Sequence, residues 1–301
     1  MIYSIMANIF WLFGCSIEVS HRFRNMTSRF DIPFYRSVMY VFFAPLTSFI
    51  CCARVRHVMA FLRQWSKFET DYKICTGVNL QLKLKKNCQK TCFLIITLPV
   101  FLVLKHYFFY AKDYQVWYIP VMCYALFVRS VADFLWILSF NALAITGRSL
   151  ALQLKQSIEG NNSSPDTINV LEEFRDTWIR LSNLTRQTGN VWYPVYSVGF
   201  FLYFTSLTLC LYGFLTDTGK DFNYTLDLAL QSIAAFFYLY TLTATAHDAS
   251  LQVTRFLTTI EINSPTVTLG GYVIVDREFL ISVLSMSVTY IVVLLQVGLS
   301  L

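Results

Sequence analysis

The residues of this chain that could do chemistry are few and far apart. In the apolar run that closes it, Thr289 stands seven positions before Gln296. A helix of about 3.6 residues per turn brings two such positions back to nearly the same face. Traced backwards from Gln296, that face carries Val292 or Val293, Thr289, Ser285, Ser282 and Glu278, while Leu295, Leu294, Ile291, Leu284 and Ile281 lie on the other side. A stripe of small hydroxyls, with an amide at one end and a carboxylate at the other, either packs against polar partners or faces water. Packing suits it as well as water does, because Ser and Thr are common at close contacts between membrane helices. Tyr290 lies about 120° off the stripe and is expected to pack against a neighbouring helix. The other candidates are Arg129 and Asp133, four residues apart in an apolar segment and so able to pair on one helix face. Charges inside a membrane are costly and usually functional. This pair either lines a ligand cavity or serves structure alone.

Other chemistry finds no purchase in the sequence. There are no paired carboxylates beside a base, no nucleophile elbow, no phosphate loop and no metal-ligand cluster, so the chain is expected to be no enzyme and to hold no cofactor or metal. The eight Cys residues show no zinc-ligand spacing and read as free thiols and core fillers; the four His residues are scattered.

The elements that must position these residues follow from composition. With 55% hydrophobic, 17% aromatic and 14% charged residues, the 301-residue chain is too apolar for an ordinary soluble domain. It reads as an all-α membrane protein of seven transmembrane helices, each needing roughly 20 residues. The spans are expected at 2–19, 34–53, 91–110, 114–144, 191–215, from about Tyr224, and at 276–300. Span 2–19 lacks the basic start and small-residue cleavage site of a signal peptide. Met1 abuts it directly, so a cytoplasmic N-terminal tail is expected to be missing from the sequence.

Two helices read as longer than a bilayer is thick. Neither Gly nor Pro occurs between Lys220 and Ser264, so the sixth helix is expected to reach about Ile262. That is roughly 57 Å against a hydrocarbon core of about 30 Å. The fourth continues past Gly147 until Gly160-Asn161-Asn162-Ser163-Ser164-Pro165 breaks it, and 166–188 is amphipathic, with Ile168, Leu171, Phe174, Trp178, Leu181 and Leu184 on one stripe. Three organisational segments result: spans one to four in 1–145, a cytoplasmic helical anchor in 146–190, and spans five to seven with their cytoplasmic extensions in 191–301. An exposed apolar stripe in the anchor would call for a partner, most simply another copy of the chain.

Orientation follows from Lys and Arg. The segments joining spans two to three, four to five and six to seven carry 16 of them and the opposite set 7, which places the N-terminus inside and the C-terminus outside. The net charge of +6 is a topology marker here and no sign of nucleic-acid binding. Of the glycosylation sequons, Asn25 and Asn223 then fall outside, while Asn161, Asn162 and Asn183 fall inside.

Thr289-Tyr290, five apolar residues and Gln296 at the end of a seventh span resemble the closing signature of the insect gustatory receptor family, Thr-Tyr, five hydrophobics, then Gln-Phe, with Val297 in place of the Phe. The run from Gly271 to Arg277 resembles the family's approach to its last helix. The resemblance implies a ligand-gated, nonselective cation channel of four subunits, homomeric or mixed with other family members, in the plasma membrane of chemosensory neurons. It implies that the last helix lines the pore, with Gln296, Val292 and Val293 at the narrow region, Ser285 and Thr289 in a wider vestibule, and Glu278 near the cytoplasmic mouth. A small-molecule tastant or other chemical ligand would enter an outer pocket, for which Tyr107, Trp117, Tyr118, Phe236, Phe237 and Tyr240, with Arg129 and Asp133, are the candidates. The rival is a G-protein-coupled receptor, against which stand the inverted topology and the lack of an Asp-Arg-Tyr box or an Asn-Pro-x-x-Tyr motif.

Overall fold

Long apolar helices without interior breakers can form at full length when each finds a partner for its apolar face. A computed structural model describes residues 32–82, 118–160, 166–216, 222–257, 267–269 and 273–299, with single positions in 9–20 and 89–100. These residues form helices α1 (Ile32–Thr76), α2 (Tyr118–Gly160), α3 (Asp166–Thr216), α4 (Phe222–Leu257) and α5 (Arg277–Leu299). Between α4 and α5 comes a two-stranded antiparallel hairpin, β1 (Thr268–Leu269) with β2 (Val273–Ile274), in the register Thr268 to Ile274 and Leu269 to Val273. The fold is therefore nearly all helical, and the hairpin is an element the sequence did not announce.

Among the described residues, four helical stretches are long and apolar enough to cross a membrane: Leu126–Glu159, Val170–Thr216, Tyr224–Thr254 and Arg277–Gln296. They match the expected fourth to seventh spans. The second expected span is helical within α1, which is not among the four. The first and third, at 2–19 and 91–110, lie outside the described residues apart from single positions.

Two boundaries differ from expectation, each for a physical reason. The amphipathic segment 166–188 and the fifth span are one helix of 51 residues, because Gly189 sits inside α3 against the backbone of Thr268 and does not end it. Helix α1 runs 45 residues, well past Ala53, because Phe61, Phe68 and Tyr72 bury themselves against α2 and α3 despite the basic residues between them.

One end of the bundle, which we call the base, holds the main core. Leu150 and Leu154 of α2, Phe174, Trp178, Leu181 and Leu184 of α3, and Val253 of α4 pack there with the α1 aromatics. The apolar stripe on α3 is thus covered by its own chain from Phe174 to Leu184, with Leu171 left exposed. Burying a side chain of this size is worth about 1.5–3 kcal/mol. Polar ties fix the register: Tyr72 Oη meets Ser149 Oγ at 2.7 Å, Trp178 Nε1 donates to the Val253 carbonyl at 2.6 Å, Arg148 pairs with Asp248 at 2.7 Å, and Arg180 pairs with Asp71. These contacts make α1, α2 and α4 run towards the base, with α3 antiparallel to them. Val267 and Val275 flank the hairpin, are buried in the same core, and join through Val275 N–H donating to the Val267 carbonyl at 2.8 Å.

Candidate functional site

Helix α5 starts where Asp276 accepts a hydrogen bond from the Phe279 N–H at 2.8 Å, an N-cap, with Glu278 in the favourable first turn. Its chain-facing side carries buried Leu280, Val283, Ser287 and Ile291, packed on α3 and α4. Every member of the stripe read from the sequence, Glu278, Ser282, Ser285, Thr289, Val292, Val293 and Gln296, is exposed on the single chain. Two of its hydroxyls need no further protein partner, since Ser282 donates to the Glu278 carbonyl and Thr289 to the Ser285 carbonyl, both at 3.0 Å. Ile281, Met286 and Val288 are exposed as well, so α5 packs on its own chain along one side only. Tyr290 is half exposed and meets Phe204 of α3 edge-on at 6.2 Å, the helix contact expected for it.

Arg129 and Asp133 are buried and paired, Nη2 to Oδ1 and Nε to Oδ2, the latter at 3.3 Å. Their other partners come from α3 and carry no mark in the spacing of the pair itself. The Tyr203 hydroxyl donates to Asp133 Oδ2, Arg129 Nη1 reaches the Val195 carbonyl at 3.5 Å, and the guanidinium lies 4.9 Å from the Tyr203 ring centroid. Tyr203 stacks on Tyr238 of α4 at 5.0 Å. Gly199 makes this possible, because a Cβ there would fall on the Arg129 guanidinium. Three helices therefore meet at one buried ion pair whose lone pairs and protons are largely engaged, the condition under which such a pair can persist.

Beside the pair lies a cavity lined by Arg129, Ala132, Asp133, Trp136, Trp192, Val195 and Tyr196. From it a run of ring contacts leads outwards: Trp136 on Tyr196 at 4.0 Å, Tyr196 to Phe200 at 5.9 Å, and Phe200 to Phe279 at the start of α5 at 4.8 Å. The cavity is far smaller than the several hundred Å³ a drug-sized ligand needs, offering only about 10 Å³ to the centres of water-sized molecules.

Of the candidate ligand residues that are described, Arg129 and Asp133 line it and the α4 aromatics do not. Phe236, Phe237 and Tyr240 are exposed on the outside of α4, Phe237 by 63%. Tyr107 and Trp117, and the side chain of Tyr118, lie outside the described residues. Asp227, buried in α4, accepts from Gln231 Nε2 at 2.8 Å and is a buried carboxylate within a candidate span that sequence reasoning passed over. Its signal was its place one turn inside the sixth span.

These features define a class: a nearly all-helical chain with helices long and apolar enough to cross a membrane, whose last helix leaves a polar face uncovered. Residues 230–301 match the family model of the 7tm Chemosensory receptor. The chain is 26% identical to gustatory and odorant receptor 24 of Anopheles gambiae, covering 81% of this chain and 58% of that protein. It is 24% identical to gustatory and odorant receptor 21a of Drosophila melanogaster, covering 89% and 64%. The chain thus spans about three fifths of the length of these relatives. Its fold is similar to that of an insect olfactory receptor from Machilis hrabei, with TM-score 0.73 and 12% identity over 99% of this chain and 89% of that one. The same receptor in complex with eugenol gives a TM-score of 0.73 at 14% identity, over 98% and 89%. The closing motif and these matches point to the same similarity, that of this chain to the insect gustatory and odorant receptors. None of these relatives speaks for a G-protein-coupled receptor.

Proposed function

We propose that this chain is a subunit of a ligand-gated, nonselective cation channel, in which four copies surround an axis and α5 of each lines the pore. The observation that carries this is the exposed polar stripe from Glu278 to Gln296, with the Ser282 and Thr289 hydroxyls bonded along their own helix. The exposed Ile281, Met286 and Val288 on other sides of α5 suit contact with neighbouring subunits. Val292 and Val293 would form a hydrophobic step able to gate by dewetting, and Gln296 an uncharged polar ring that selects weakly among cations. The base of the bundle would be the cytoplasmic anchor. The common direction of α1 and α2 is what one intervening span, expected at 91–110, would produce.

The ligand we assign is a small molecule, as eugenol is for the Machilis hrabei receptor. Its site is assigned to the aromatic outer half, with Tyr107, Trp117, Tyr118, Phe236, Phe237 and Tyr240. The Arg129 and Asp133 pair is assigned there a structural role, since the adjoining cavity is too small for such a ligand. The experiment is expression in cells of a chemically diverse tastant panel's target, this chain alone or with a family co-subunit, under voltage clamp. A ligand-evoked cation current is expected, and Gln296→Ala is expected to alter its permeability ratios and block. A current whose permeability and block are untouched by that substitution would remove Gln296 from the pore.

A further inference from the structure

We propose that the cavity between α2 and α3 beside Arg129 is a binding site for one ordered water, which ties Trp192 and Tyr196 on α3 to the Asp133 carboxylate on α2. The site stands apart from the channel reading and does not depend on it. Trp192 and Tyr196 line this cavity, and neither Trp192 Nε1 nor the Tyr196 hydroxyl has a hydrogen-bond partner among the described residues. Both side chains are more than nine-tenths buried, at 8% and 2% exposure. The indole N–H can only donate, whereas the phenol can donate or accept.

The acceptor side is set by Asp133. Its Oδ2 takes bonds from Arg129 Nε and from Tyr203, while Oδ1 takes one, from Arg129 Nη2, among the described residues. A carboxylate oxygen accepts two, so Oδ1 has capacity for another. An occupant that accepts from Trp192 and Tyr196 and donates to Oδ1 makes three hydrogen bonds, the usual number for a buried water. Size points the same way, because about 10 Å³ for water centres is room for a single one. Charge excludes an anion: the Arg129 charge is already offset by Asp133, and an anion would lie against that carboxylate.

Two measurements on the assembled protein in nanodiscs test the site. In a map sharp enough to show waters, a peak is expected within about 2.7–3.2 Å of both Trp192 Nε1 and the Tyr196 oxygen. It should be unchanged when chloride is exchanged for bromide. No peak, or one that strengthens in bromide, overturns the proposal. The second measurement is the sign of the stability change in Tyr196→Phe. If the cavity were dry, deleting an unsatisfied buried hydroxyl would raise the unfolding midpoint. With the water bound, the substitution removes one of its partners and the midpoint is expected to fall by about 2–4 °C. A rise overturns the proposal.

Discussion

At the scale of single residues, the Arg129 guanidinium is held between a carboxylate, a phenol and a bare Cα. Gly199→Ala puts a methyl group where the guanidinium lies. In a helix interior Ala normally stabilises relative to Gly by about 1 kcal/mol, so the expected loss of roughly 1–3 kcal/mol from overpacking has the opposite sign and is diagnostic. Thermal unfolding in detergent or nanodiscs measures it. Asp133→Asn strands a buried cation and is expected to cost about 3–5 kcal/mol, whereas Arg129→Met with Asp133→Leu should recover most of that loss. If the double variant were as poor as the single one, the pair would do more than satisfy itself. The pair was legible in the sequence because four residues along a helix fix two side chains on one face. Gly199 and Tyr203 were not, since they lie on another helix, 70 residues on from their partners at Arg129 and Asp133. A lone Gly or Tyr within an apolar span carries no mark of what crosses it.

At the scale of elements, helix positions were legible wherever apolar runs lacked breakers. The spacing of the α3 stripe from Phe174 to Leu184 marks a face that needs cover without saying what covers it. The basic residues from Arg54 to Lys73 hid the apolar spacing Phe61, Phe68 and Tyr72, which supplies that cover from α1. Trp178 is the test of this packing, being wholly buried and tied to the Val253 carbonyl. Trp178→Ala should destabilise by about 3–5 kcal/mol and reduce surface expression, while Leu171→Ala, at an exposed position on the same stripe, should change little. Equal losses at both sites would mean that another subunit covers Leu171 in the assembly. The hairpin was illegible because two residues per strand give no period; what holds it is Val267 and Val275 anchored in the core beside Gly189.

At the scale of the whole molecule, direction and sidedness are separate questions. The bundle fixes directions: α1, α2 and α4 end at the base, α3 begins there, and α5 starts higher, beside Phe200, and runs the same way as α3. Which face of the membrane the base occupies rests on the distribution of Lys and Arg. The two combine into one experiment through the sequons. Asn183 is exposed on α3 at the base, while Thr185 of its sequon is buried, so its modification, were that end lumenal, would have to precede packing of the helix. Asn223 lies at the opposite end, at the start of α4. With the base in the cytoplasm, glycosidase digestion should remove sugar that depends on Asn25 and Asn223 and on none of Asn161, Asn162 and Asn183. Asn223→Gln should therefore abolish one mass shift while Asn183→Gln leaves the pattern unchanged. Because every described helix is locked in direction to the others, modification at Asn183 would invert all of them at once. The anchor would then be outside, Glu278 would stand at the extracellular mouth, and Gln296 would face the cytoplasm.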